Sequence, residues 1–186
     1  MWAALSLAFF TACDMQDMYQ QPRYTPLESS ESFNDGRSAR PLEPDTVSLG
    51  QLRTNTLFYA GKSGGKDVTA LPMPLTVQLL KRGEERYDIY CAPCHDRVGN
   101  GNGMIVQRGF RPPASFHIQR LRDAPIGHFY DVMSNGFGTM ADFSTQITPE
   151  DRWAIAAYVR ALQLSQHATL ADVPMEQRQK LEAKVP

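Results

Sequence analysis

Cys91, Cys94 and His95 stand within five residues, in the stretch CAPCH. No other feature limits the chain so tightly, because few chemistries use two thiols and an adjacent imidazole. A thioredoxin-like dithiol needs a βαβ setting, and no strand pattern surrounds this pair. A closed zinc site needs four N or S ligands, usually from two Cys pairs; the chain holds three cysteines and no second pair downstream. The order C-x-x-C-H is the pattern of c-type haem attachment. Thioether bonds from Cys91 and Cys94 would fix the macrocycle and place His95 beneath the iron as proximal ligand. One such motif implies one covalent haem c. The run VGNGNGM that follows lacks the strand, the helix and the Gly-Lys-Ser/Thr ending of a phosphate loop. Its Gly99, Gly101 and Gly103 are read as backbone that turns tightly beside a flat group.

The third cysteine, Cys13, ends the apolar run 2–12. That run is too short to span a bilayer, which takes about 20 apolar residues, and it reads as the core of a secretory signal. The approach FTAC resembles the lipobox of bacterial lipoproteins, with Phe10 where leucine is usual. The resemblance implies cleavage before Cys13 and lipid on its sulfur, and two or more acyl chains anchor stably where one is marginal. Haem attachment and secretion agree on a compartment outside the cytoplasm. The 186 residues carry a formal net charge of −1, which points to neither a nucleic-acid surface nor an acidic tail.

Organisation along the chain follows composition. Residues 1–12 are read as a signal-peptide remnant. Residues 13–73 are polar and rich in Pro, Ser and Asp, too poor in apolar periodicity to fold alone. Their scattered Tyr19, Tyr24, Leu27, Phe33, Leu57, Phe58 and Tyr59 suit an extended arm that orders on a partner. A compact, mostly α domain is expected over 74–165. Val77, Leu80, Glu84, Tyr87 and Tyr90 or Cys91 recur at helical spacing and lead into the haem motif. Pro112 and Pro113 forbid regular helix after the glycine run. A short helix is expected over 126–135, stopped by Gly136. The last strong helix begins at Thr148 as N-cap, with Pro149 in the first helical position and Asp151 completing a capping-box pattern. Its buried stripe is Ile155, Tyr158, Val159 and Leu162. Residues 166–186 form a tail with a weak amphipathic segment after Asp172.

The sixth iron ligand decides function, since Met or His gives an electron carrier and an open position gives ligand binding or catalysis. Met140, in the glycine-flexed stretch NGFGTMADF between two helices, is the first choice. Met133 lies inside a helix and comes next, and Met104 is too close to the proximal side. His117, His128 and His167 are read as surface or structural. A proximal histidine donates its free N–H to a carbonyl, and Pro112 or Pro113 is placed to supply one. Arg108, Arg111 and Arg120 are candidates for the haem propionates, or plain solvated arginines.

Together, CAPCH, the glycine loop, the Pro-Pro segment, GTM and DRWAIAAYVRAL resemble a class I cytochrome c. The resemblance implies three to five helices around one covalent haem, with Gly83, Tyr87 and Tyr158 where the first and last helices cross. Asp96 stands where glycine is common. More widely, from Cys13 to about His167, the chain resembles the mono-haem subunit of bacterial alternative complex III; the arm QPRYTPLE…SFNDGRSARPLEPDTVSLG carries most of that likeness. It implies a lipid-anchored subunit on the periplasmic side of the inner membrane, within a quinol-oxidising complex. Multi-haem and iron–sulfur subunits would be its partners and a haem–copper oxidase a possible acceptor. The chain itself would be an electron carrier and not an enzyme. Two other readings remain: a free-standing lipid-anchored shuttle, and a haem enzyme with an open distal site.

Overall fold

The computed structural model describes residues 21–49 and 52–182. The run 2–12, Cys13 and Tyr19 lie outside them. The chain divides into two units, 1–52 and 53–186.

In the first unit the expected arm contains one closed turn. Ser29 and Arg37 form an isolated antiparallel bridge, Ser30 N–H donates to the Gly36 carbonyl at 3.0 Å, and the Ser38 hydroxyl donates to the Glu28 carbonyl at 2.6 Å. Arg40 pairs with Asp35 at 2.7 Å and covers the Phe33 ring. Around this turn Leu27, Leu42 and Leu49 stand almost fully exposed, so the segment builds no core of its own.

The second unit begins earlier than composition suggests. Residues expected to belong to the arm form helix α1 (Thr56–Ala60) and a hairpin of two-residue strands, β1 (Lys62–Ser63) and β2 (Lys66–Asp67). Then come α2 (Val77–Tyr90), α3 (Ala92–His95), α4 (Met104–Gln107), α5 (Gln119–Asp123), α6 (Ile126–Asn135), α7 (Pro149–His167), a 3₁₀ turn (Leu170–Asp172) and α8 (Met175–Glu182). The expected helices over 126–135 and after Thr148 are present, and Gly136 ends the former with φ +76°. The domain is mostly α, as its resemblance implied.

Local signals set the long helices. Thr76 caps α2 through its hydroxyl, accepting from Leu79 N–H at 3.1 Å, and Thr148 caps α7 by accepting from Asp151 N–H at 3.2 Å. The reciprocal half of the capping box does not form. Asp151 instead takes a forked pair of hydrogen bonds from Arg82, at 2.7 and 3.0 Å, which ties α7 to α2.

Those two helices cross backbone to backbone. At Gly83 a Cβ would lie 2.1 Å from the Ala154 carbonyl oxygen, so no other residue fits there. One turn on, Tyr87 is fully buried and packs against Tyr158, ring centroids 5.3 Å apart. Val77 remains 65% exposed, because the first turn of α2 projects beyond the crossing. Of the expected α7 stripe, Ile155, Val159 and Leu162 are buried and Tyr158 is half-buried.

Trp153, absent from that stripe, anchors the early elements. It is fully buried, stacks on Tyr130 at 4.3 Å and donates Nε1–H to the Phe58 carbonyl at 2.7 Å. Tyr130 donates its hydroxyl to the Tyr59 carbonyl at 3.1 Å, and Gly127 N–H donates to the Val68 carbonyl at 2.8 Å. Helix α1 and the hairpin are thus held by α6 and α7, not by propensity of their own. Among the described residues no helix is long and apolar enough to cross a membrane.

Candidate haem site

The chain turns from α2 into α3 at Cys91, whose N–H still reaches the Tyr87 carbonyl at 2.8 Å. That turn delivers Cys91, Cys94 and His95 to the wall of one cavity of about 420 Å³. Phe116, Phe129, Met133, Met140, Ile155 and Val159 also line it, so its walls are mainly apolar. Both thiols are free. Burial, and secondarily Cys94, push the Cys91 thiol up to about 12. Burial pushes His95 down to about 4, with Asp96 opposing weakly. The imidazole is therefore neutral at pH 7 and keeps a lone pair for a ligand.

The glycine loop is bound back onto this turn. Asp96 sits at φ +57°, ψ 173°, a strained conformation for a residue with a side chain. Its carboxylate accepts the N–H groups of Val98, Asn100 and Asn102 at 2.8, 3.2 and 3.0 Å. Burial raises its pKa, but these N–H groups, with that of Gly99, outweigh it and hold the carboxyl below the usual range. The Asp96 carbonyl takes the Tyr87 hydroxyl at 2.7 Å, linking the loop to the helix crossing. Gly101 donates N–H to the His95 carbonyl at 2.9 Å with φ +85°, and a Cβ there would lie 2.5 Å from the Pro113 carbonyl. The glycine run thus packs against the proximal turn and the Pro-Pro segment.

His95 stacks flat on Phe116, centroids 4.5 Å apart and planes 11° from parallel. Its Nδ1 is buried and has no hydrogen-bond partner among the described residues. Neither the Pro112 nor the Pro113 carbonyl takes that proton here. Pro113 lines the cavity while Pro112 is exposed.

Also in the lining, Phe137 and Met140 exchange two backbone hydrogen bonds of 3.0 Å each, closing a four-residue turn. Phe143 N–H donates to the Met133 carbonyl at 2.9 Å, fastening the turn to α6. Met140 is half-buried and Met133 is 5% exposed within the core; both face the cavity. Met104 is exposed and is not among its lining residues.

The histidines divide differently from expectation. His128 lines the cavity, with Nδ1 3.9 Å from Asp67 of the hairpin; nothing in its local sequence signals that, since the partner lies in an element held by tertiary contacts. His117 is half-buried, its Nε2 2.7 Å from the Val98 carbonyl, and it stacks on His167 outside the cavity. Arg111 and Arg120 line the cavity and have no ion pair among the described residues. Arg108 is exposed elsewhere.

Among the described residues no group of three or more His, Cys, Asp or Glu could hold a bare metal ion. A broad apolar slot beside two free thiols, with an orphaned imidazole N–H, suits instead a macrocycle bound through thioethers. The domain that carries it is mostly α. Residues 78–159 match the family model described as cytochrome c oxidase, cbb3-type, subunit III. Solved structures to which the chain is similar include the KustC0563 c-type cytochrome, at 22% identity and TM-score 0.38, covering 44% of this chain and 96% of that one. Cytochrome cL of Methylophaga aminisulfidivorans matches at 17% identity and TM-score 0.38, covering 59% of this chain and 67% of its own. Cytochrome cL of Hyphomicrobium denitrificans matches at 19% and 0.37, covering 57% and 65%. No curated protein matches the chain.

Proposed function

We propose that the chain is a one-electron carrier in which Cys91 and Cys94 hold haem c through thioethers and His95 and Met140 are its axial ligands. The observation that carries this reading is the convergence of two free thiols, a neutral buried imidazole and a loop thioether on one apolar cavity. The bound haem supplies a one-electron Fe(III)/Fe(II) couple. The chain's own residues do the rest. Cys91 and Cys94 would hold the ring through thioethers, and His95, braced by Phe116, would ligate its iron. Met140, on the 137–140 turn that lines the cavity, would be the second iron ligand, and the apolar walls from α6 and α7 would exclude water. His95 Nδ1 still needs an acceptor, which neither the Pro112 nor the Pro113 carbonyl provides in this structure. Thioether ligation favours the ferrous state and raises the potential.

Met140→Ala tests the assignment: the reduced variant should bind CO, which the parent should resist, and its potential should fall. If Met133→Ala does this and Met140→Ala does not, the ligand is Met133. CO binding by the unaltered protein would point to an open-site haem enzyme.

For the whole chain, we propose a subunit of a periplasmic-side, quinol-oxidising membrane complex of the alternative complex III kind. It would be anchored by lipid on Cys13, with multi-haem and iron–sulfur subunits as partners and a haem–copper oxidase as a possible acceptor. Two features support it: the resemblance of the arm, and its exposed leucines around a turn without a core, as suits a segment that binds along a partner. A native gel of gently solubilised membranes, stained for haem, tests it. Co-migration with a multi-haem cytochrome and an iron–sulfur protein is expected; migration as a small lone haem protein would make the chain a tethered shuttle.

A further inference from the structure

Arg160 of α7 lies half-buried with its guanidinium 5.1 Å from the centroid of the Phe129 ring. Phe129 lines the haem cavity. A single aromatic ring therefore separates this cation from the cavity. Its hydrogen bonds all go to neutral oxygens: the Arg122 carbonyl at 3.0 Å, Gln163 Oε1 at 2.7 Å and the Ala124 carbonyl. No carboxylate pairs with it among the described residues. The carboxylate of Asp123, beside two of those acceptors in sequence, is turned away and held by Gln119 Nε2 at 2.8 and 2.9 Å. Burial holds the Arg160 pKa below its ordinary value, yet an arginine stays charged in proteins. A cation kept in this place without a counter-charge costs solvation, and neutral hydrogen bonds offset only part of it.

A structural strut needs no charge. The same carbonyls would be satisfied by an amide or a water. What a fixed cation adds is its field, which acts strongly across a low-dielectric wall. The iron–porphyrin core is a monocation when ferric and neutral when ferrous. One electron enters, no bond is made or broken, and the local positive charge falls by one. A permanent cation behind the wall repels the ferric core and leaves the ferrous core unaffected to first order.

We infer that Arg160 is a potential-setting residue, an unpaired positive charge placed behind Phe129 to favour the reduced haem. This rests on the haem-carrier reading above. Arg152 has similar chemistry, buried and held over Tyr130, but Tyr130 does not line the cavity, so the inference is confined to Arg160.

The test is spectroelectrochemical titration of the holoprotein, with haem content and the ligand-sensitive spectrum recorded on the same sample. Arg160→Gln should lower the midpoint potential by about the equivalent of a tenfold change in the ferric-to-ferrous ratio, 59 mV for one electron. Arg160→Lys, which keeps the charge and loses the fork, should stay within about twofold of the parent. Should Arg160→Gln not take up haem, Gln163→Glu puts a carboxylate against the retained guanidinium and should lower the potential likewise at pH 8. A parental potential in the neutralised holoprotein, with only the melting temperature reduced, would show that Arg160 merely pins the 122–124 turn. Absence of covalent haem from the parent protein would instead sink the carrier reading itself.

Discussion

Gly83 and the carbonyl of Ala154 approach so closely that a Cβ on Gly83 would lie 2.1 Å from that oxygen. The two backbones meet with nothing between them, and both the Tyr87–Tyr158 contact and the position of the haem motif depend on that approach. Gly83→Ala should therefore destabilise the domain although alanine is the better helix former. Overpacking costs about 1–3 kcal/mol, often offset by less than 1 from helix propensity. With backbone on both sides, the net loss should be at least about 2 kcal/mol. Thermal unfolding of the holoprotein checks it; an unchanged or raised Tm would mean that the helices can part without loss.

Asp96 carries two opposed effects. Its backbone conformation is strained, at about 1–3 kcal/mol, while its carboxylate collects three backbone N–H groups, each worth about 0.5–1.5 kcal/mol. Asp96→Ala keeps the strain and loses the acceptor, so it should cost about 2–4 kcal/mol. Asp96→Gly relieves the strain while losing the same bonds and should cost much less. Denaturant titration of both variants decides the matter: equal losses would show that strain is negligible.

The early elements hang on α6 and α7. Trp153→Phe keeps a ring in place but leaves the Phe58 carbonyl without its 2.7 Å donor. A fully buried acceptor left orphaned costs about 1–3 kcal/mol, and the half-buried Phe58 carbonyl should lie near the lower figure. Release of α1 should follow, read as faster proteolysis within residues 55–70 while the haem spectrum stays the same. Equal cleavage rates in variant and parent would place the anchor elsewhere.

Covalent attachment has a direct assay. With both Cys91 and Cys94 changed to Ala, haem should be lost from the denatured chain on a haem-stained gel and become extractable by acidified organic solvent. Either single variant should retain it through the remaining thioether. Retention by the double variant would remove the thioether assignment.

Sequence signals were clearest where local chemistry decides structure. Thr148 with Pro149 marks the start of α7, Gly136 marks the end of α6, and Cys91, Cys94 and His95 form a contiguous motif. Local signals are weak where only tertiary contacts decide. Helix α1 and its hairpin are too short for periodicity to register, and they persist because Trp153, Tyr130 and Gly127 bind their backbone. His128 lines the site from α6 and lies 3.9 Å from Asp67 on that hairpin, a neighbour its local sequence does not show. Asp151 has the spacing of a capping box, but Arg82 from another helix claims its carboxylate. Arg160 reads as one more polar residue on an amphipathic helix; that no carboxylate pairs with it among the described residues is visible only from its three-dimensional neighbours.

The seam between α2 and α7 also imposes a chronology. Cys91, Cys94 and His95 follow directly on α2, whereas Ala154, Trp153 and Tyr158 are made long afterwards. Until α7 is available, nothing covers Gly83 and Tyr87, and the cavity lacks the wall formed by Ile155 and Val159. A chain emerging N-terminus first thus presents the thiols of Cys91 and Cys94 in an open half-site, before the last long helix exists to close it.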